Sequence, residues 1–403
     1  MRSGVCPLQI EITIDTGRTE FWDEGWPRGA LTPADEGRSQ PFADALGASS
    51  GRWQNFYLNS PRAFIKQIEQ SLHQSRPWSL PLLEGLHIVD PSNSMWDSEW
   101  PVPEQNDLPV DLFAVSPRLR RVSFENPMYD PQKPEVQFPR HQIERVDIFS
   151  GDVYSCRELL RLCSNLIRCD NLQIEWGESG DGGPVRNALQ VLAVVFCDED
   201  DNEDKGVDTF FEYLELPFLL DLHVCFNWAP EWTLDTRAIF TSFLTQTSTL
   251  QRFVLRLRKC SGEVFHSILV ALPSLQNFEL SIGEFWDSPL FSEELLEELT
   301  FFKNGNASTL LPNLRTLKLS GSIGVHTSAF SAMVRSRTME NTNGERGALL
   351  QSLHMRIVSD GGTSSTTLLD SEFAEVKNIL GDQADIQISA KVREMDAAHI
   401  SQP

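Results

Sequence analysis

No apolar run in this chain approaches the roughly 20 residues needed to cross a bilayer, although 40% of its 403 residues are hydrophobic. The apolar residues are scattered in short strings, so no transmembrane helix and no membrane partner are expected. Cations are also scarce: 34 Lys and Arg stand against 57 Asp and Glu, a formal charge of −23. That balance opposes the counterion release by which proteins hold phosphate backbones, so nucleic acid is not an expected ligand. Cysteine is sparse and odd in number, at Cys6, Cys156, Cys163, Cys169, Cys197, Cys225 and Cys260, with no C-x-x-C pair. Such a pattern suits reduced, buried thiols better than a disulfide framework. The opening MRSGVCPLQIEITIDT alternates apolar and polar residues and soon turns charged, so it lacks the apolar block and cleavage site of a secretory signal. A cytoplasmic or nuclear location is the expectation.

The short motifs that carry chemistry are missing as well. No G-x-S-x-G marks a nucleophilic serine at a strand-to-helix turn, and no H-E-x-x-H marks a zinc helix. The glycines of GESGDGG at 177–183 lack the spacing and the lysine of a phosphate-binding loop and read as a turn-rich connection. Asp200, Asn202 and Asp204 imitate the first ligands of a calcium loop, but Lys205 replaces the turn glycine and Phe211 the closing glutamate. DEDDNEDKG at 198 therefore reads as a solvated acidic loop. His87, His223 and His354 stand far apart in the chain and read as surface or core histidines. No catalytic residue, metal or cofactor is expected, and the chain reads as non-enzymatic.

What is present is a recurring phrase: an apolar residue, two others, an apolar, one other, an apolar. Instances begin at Trp53, Leu83, Leu119, Ile143, Leu166, Leu189, Leu219, Leu250, Leu275, Leu314 and Leu350, spaced 23 to 39 residues apart. At this apolar content the bare phrase matches roughly 25 windows by chance, so its flanks carry the weight. LPLLEGLHI at 80, LPFLLDLHV at 216, LPSLQNFEL at 272 and LPNLRTLKL at 311 each begin with Leu-Pro, and SPRLRRVSF at 116 is close to them. With the proline required, chance supplies about one or two copies, against these five.

Between the phrases lie stretches with apolar residues three and four apart, which predict one helix per period. SPRAFIKQIEQSL places Ser60 as a cap and Phe64, Ile65, Ile68 and Leu72 on one face; DTRAIFTSFLTQ, SEELLEELTFF and SEFAEVKNIL open on Asp235, Ser292 and Ser371 as N-caps. A strand with one apolar face, covered by a helix, is stabilised by stacking on its neighbours. The expected fold is an α/β, irregular leucine-rich-repeat solenoid with parallel strands on the concave face and helices on the convex face. The asparagine or cysteine that the regular motif wants two residues after its last leucine occurs only as Cys197 and Asn227, which makes the array irregular. Residues 1–52 are expected to form an N-terminal strand and long loop, 53–390 the array, and 391–403 a flexible tail, with further loops at 91–109 and 338–347.

MRSGVCPLQIEI, followed later by GRWQNFYL and LPLLEGLHI, resembles the segment just after the F-box in the large fungal family of F-box and leucine-rich-repeat proteins. Arg2, Ser3, Gly4, Cys6, Pro7 and Leu8 match the family's Arg-Ser-Gly-x-Cys-Pro-Leu string, and the irregular Leu-Pro-x-Leu units extend the likeness along most of the chain. The resemblance implies repeats that hold a substrate protein, and F-box helices that dock on a ubiquitin-ligase adaptor. The chain starts where that box should already have ended, so adaptor binding is expected only with a box encoded upstream.

In a leucine-rich unit, slots one, four and six enter the core and slots three, five and seven line the concave face. The candidate partner-binding residues are then Arg121, Arg145, Phe149, Asp221, His223, Arg252, Arg256, Glu279, Lys318 and Arg356. Because arginine favours interfaces and forks onto carboxylates, this face is expected to receive a protein segment of acidic or mixed charge. Arginines that only keep an exposed sheet soluble give the same pattern. A free-standing interaction or structural repeat protein without a ligase role is the alternative reading, and an enzyme with catalytic residues dispersed in sequence is a further one.

Overall fold

The computed structural model describes residues 6–13, 41–42, 44–60, 62–75, 79–89, 110–125, 136–175, 183–197, 205–227, 232–283, 290–301, 310–321, 326–338, 349–359, 373–381 and 384–390. Of the long loop expected within 1–52, residues 41–42 and 44–49 are helical and Ser50–Arg52 form a 3-10 turn. The rest of it, the loops expected at 91–109 and 338–347, the Gly-rich and acidic stretches, Ser371 and the tail lie wholly or largely outside the described residues.

Proline fixes φ near −65°, which suits the second position of a β-turn. The Leu-Pro-x-Leu phrase is such a turn: Leu83 N donates to Leu80 O (3.2 Å), Leu275 N to Leu272 O (3.2 Å) and Leu314 N to Leu311 O (3.2 Å), and Leu119 N does the same to Ser116 O (3.1 Å). Cys163–Leu166 and Thr247–Leu250 make the same turn without proline, each closed at 3.0 Å. The third turn residue is often a short donor that reaches back to the preceding repeat. Asn165 Nδ2 donates to His141 O (2.6 Å), Thr249 Oγ1 to Pro217 O (3.0 Å), Ser274 Oγ to Leu250 O (3.0 Å) and Asn313 Nδ2 to Pro273 O (3.1 Å). The polar ladder between repeats therefore lies at the turn before the strand.

Each turn releases the chain into a strand whose first two N–H groups share one carbonyl of the previous repeat. Arg120 and Arg121 share Glu84 O, Glu144 and Arg145 share Arg120 O, and Ile167 and Arg168 share Glu144 O. Further along, Gln251 and Arg252 share Leu220 O, Gln276 and Asn277 share Gln251 O, Arg315 and Thr316 share Gln276 O, and Gln351 and Ser352 share Arg315 O. This junction sets the register of each strand on the last.

The chain groups into two compact units, Met1–Val194 with Tyr213–Leu216, and Val195–Glu212 with Pro217–Pro403. In the first, the strands β1 (Leu8–Thr13), β2 (Trp53–Asn59), β3 (Gly85–Val89), β4 (Arg121–Glu125), β5 (Arg145–Gly151) and β6 (Arg168–Ile174) pair in sequence order, all parallel. A small parallel pair, β7 (Val185–Arg186) with β9 (Leu214–Glu215), accompanies them. Strand β8 (Val191–Phe196) carries the chain into the second unit, where β10 (Asp221–Phe226), β11 (Arg252–Leu257), β12 (Asn277–Ile282), β13 (Thr316–Gly321), β14 (Ser352–Ser359) and β15 (Ala384–Ala390) again pair in order and parallel. The fold is α/β with parallel sheet.

The periodicity predicts one helix per interval, but the first unit has α1 (Arg62–Ser75) and α2 (Val153–Leu162) and, among the described residues, no α-helix between β3 and β4, β4 and β5 or β6 and β8. Helices stand in the intervals of the second unit as predicted: α3 (Lys205–Glu212), α4 (Leu234–Gln246), α5 (Gly262–Val270), α6 (Glu293–Leu299), α7 (Thr327–Thr338) and α8 (Ala374–Leu380). Ser292 caps α6 as expected, its side chain accepting from Leu295 N at 3.3 Å. The cap of α4 is Thr233 rather than Asp235, accepting from Thr236 N at 3.1 Å; Asp235 instead occupies the first turn, where the helix dipole favours a carboxylate.

One face of each sheet is dry. In the second unit Phe253, Phe278, Phe265, Phe291, Phe330 and Phe373 form a chain of rings with centroids 5.3 to 6.5 Å apart, linking strands to helices through the core. Arg337 lies among these apolar groups with none of its surface exposed, donating to Leu299 O (2.6 Å), Leu311 O (3.0 Å) and Leu310 O (2.9 Å), its guanidinium 4.3 Å from the Phe301 ring centre. It holds Leu311 in a left-handed conformation (φ 48°) that a leucine adopts only under constraint. Gly321 ends β13 at φ 98°, where an added Cβ would fall 1.8 Å from Ile282 O.

Candidate functional site

Strand alternation leaves the opposite side of each sheet to polar side chains, and nine of the ten sequence-predicted residues stand there. The exception is Phe149, which is fully buried. Val122 pairs with Val146 but Phe124 pairs with Phe149, so β5 carries one extra residue against β4. That bulge reverses the alternation beyond it and turns Phe149 into the core.

In the first unit Arg121, Arg145 and Arg168 are Cα partners across β4, β5 and β6. Like charges directly opposite each other destabilise a sheet. Asp147 and Asp170 separate them: Arg121 pairs with Asp147, Arg145 Nε lies 2.7 Å from Asp147 Oδ1, Arg145 Nη2 lies 2.7 Å from Asp170 Oδ2, and Arg168 Nε lies 2.5 Å from Asp170 Oδ1. Every arginine of this row is thus engaged by a neighbouring carboxylate. Beside it, His87 stacks on Tyr57 at 4.5 Å between ring centres and lies 3.3 Å from Glu125. Burial lowers the pKa of His87, and Glu125 and Asp147 only partly oppose that.

In the second unit Asp221 holds His223 (2.9 Å) and Arg252 (3.1 Å). Burial alone would raise the Asp221 carboxyl, but these two partners outweigh it and hold the group below the ordinary carboxylate value. The next strands are less neutralised. Arg256 and Lys318 share Glu279, each at 3.9 Å, the outer limit of an ion pair. Arg356 is exposed and makes no ion pair among the described residues. Arg256, Ser281, Ser320 and Arg356 are successive Cα partners over four strands, so two hydroxyls lie between two guanidiniums. His354 lies 3.7 Å from Asp385, a partner that sequence reading had not placed because β15 lacks the full repeat phrase.

Among the described residues no group of three or more His, Cys, Asp or Glu is placed to hold a metal ion. The Cys163 and Cys260 thiols are pushed up to about 12 and Cys169 higher still, all by burial, which leaves them weak nucleophiles. No described helix is long and apolar enough to cross a membrane. Compared with known proteins, the chain matches no family model and no curated protein.

Proposed function

We propose that this chain is a protein-binding module, a leucine-rich-repeat-type solenoid that takes a partner segment on the exposed side of its parallel strands, as the substrate-holding part of an F-box ubiquitin-ligase receptor does. The carrying observation is the placement of cations. In the first unit Arg121, Arg145 and Arg168 stand with Glu11, Glu125, Asp147 and Asp170 on the exposed side of the strands, and in the second Arg252, Arg256, Lys318 and Arg356 stand with Asp221, Glu279 and Asp385, seven cations and seven carboxylates on a chain of −23. The recurring turn, strand and helix support the repeat reading, and the amino-terminal likeness supports the receptor reading. The partner is a protein, the location cytoplasmic or nuclear.

The test is affinity capture from a cell extract with mass-spectrometric identification, using the intact chain and its Arg252→Glu/Arg256→Glu/Arg356→Glu variant. The expected result is a reproducible protein partner with the intact chain that is lost from the variant. Equal recovery on both baits counts against the reading. Co-purification of a ligase adaptor with the full-length gene product supports the receptor role, and its absence leaves a free-standing binding module.

A further inference from the structure

We propose that the receptive part of this surface is the patch of Arg256, Lys318 and Arg356 on β11, β13 and β14, and that it takes an extended acidic peptide of a partner protein. This rests on the protein-binding reading above and adds where the partner binds and by what chemistry.

The two units treat their arginines differently. On β4 to β6 the two aspartates are interleaved with three arginines at close range, so an incoming carboxylate would have to displace an existing one. On β11 to β14 one carboxylate, Glu279, stands at 3.9 Å from both Arg256 and Lys318, whose side chains are 60% and 47% exposed. Arg356 adds a third cation. Guanidinium groups with open donors bind carboxylates in a fork, at about twice the strength of a neutral hydrogen bond. Ser281, in register between the two arginines, offers a further donor along the same line, while the Ser320 hydroxyl beside it donates to Leu280 O (3.4 Å).

The spacing also sets the ligand. Arg256 and Arg356 are separated by three strand intervals, roughly 14 Å. An extended peptide rises about 3.3 Å per residue, so acidic residues four apart reach both arginines. Lys318, two residues back along β13, faces a third carboxylate between them. Because the rest of the chain is acidic, attraction is local to this patch and weakens with salt.

The experiment is fluorescence anisotropy with a fluorescein-labelled peptide bearing two glutamates four residues apart, and a glutamine counterpart, titrated with the intact chain. Two double variants accompany it: Arg256→Glu/Arg356→Glu in the patch and Arg118→Glu/Arg315→Glu at exposed turn positions before β4 and β13, off the strand face, each checked for an unchanged melting temperature. The intact chain and the turn variant should bind the glutamate peptide alike, and the patch variant about ten-fold or more weakly. Equal binding by the patch variant, an equal loss in the turn variant, or no preference for glutamate over glutamine overturns the proposal. If the patch fails while partner capture persists, the binding reading stands and the partner docks elsewhere. If capture fails while the peptide still discriminates, the patch stands and the reading of cellular function does not.

Discussion

Replacing Arg337 with methionine probes the buried polar arrangement of the second unit. The side chain is wholly buried and gives hydrogen bonds to three main-chain carbonyls, those of Leu299, Leu310 and Leu311, while stacking on Phe301. Hydrogen bonds from a charged donor are worth ~1.5–3 kcal/mol each, so the three together with the stacking amount to about 5–9 kcal/mol. Against this, burial lowers the guanidinium pKa to about 10. A depression of that size costs about 3 kcal/mol, which removal of the charge recovers. A net loss of about 2–6 kcal/mol follows, and Leu311 also loses the contacts that hold its left-handed backbone. For a unit of this size each kcal/mol moves the midpoint by about 2–4 °C, so the melting midpoint of the unit should fall by roughly 4–24 °C. Differential scanning calorimetry reads it directly. Arg337→Lys, which keeps the charge but cannot reach three acceptors, should fall between the two. A methionine variant melting within about 1 °C of the intact chain refutes the reasoning.

Gly321→Ala should destabilise the second unit by ~3 kcal/mol or more, since an added methyl would overlap Ile282 O and the residue already holds φ 98°; a urea midpoint equal to that of the intact chain contradicts this. Ser248→Pro should raise stability by about 0.4–1 kcal/mol, because Ser248 stands in the Thr247–Leu250 turn where Pro81, Pro273 and Pro312 stand in theirs; a lower urea midpoint counts against the shared turn geometry. His87 has a folded pKa below its ordinary 6.5, through burial, so the unfolded chain takes the proton first and stability falls as pH drops through and below 6.5. Urea midpoints of His87→Gln should accordingly change less than those of the intact chain between about pH 7 and 5, and parallel profiles for the two proteins rule this out.

The repeat positions were legible in the sequence because Leu-Pro marks them; the turn itself emerges from the structure, where Leu80, Leu272 and Leu311 each open one with proline second. The cap at Ser292 was legible because a short hydroxyl side chain ahead of an apolar helical pattern satisfies a local N–H. At α4 two good capping residues stand two positions apart, and the structure uses Thr233, a choice that propensity alone does not settle. Phe149 escaped because a bulge leaves no mark on apolar alternation; it exists only as a mismatch between β4 and β5. The candidate surface was legible as a set of residues but not as a set of charges. Whether Arg145 is free or held depends on Asp170 one strand away, and that register is fixed between repeats of unequal length. Arg337 escaped for a simpler reason: a charged residue in a helical stretch reads as solvated unless its buried acceptors are known.

The claim that the exposed strand side is the binding surface is tested most directly by one affinity. The dissociation constant of the captured partner is measured by isothermal titration calorimetry for the intact chain and for Arg252→Glu/Arg256→Glu/Arg356→Glu, with melting temperatures matched. Reversal of three interface cations should weaken binding by about ten-fold or more, and more at low salt than at high. A dissociation constant unchanged within error contradicts the account.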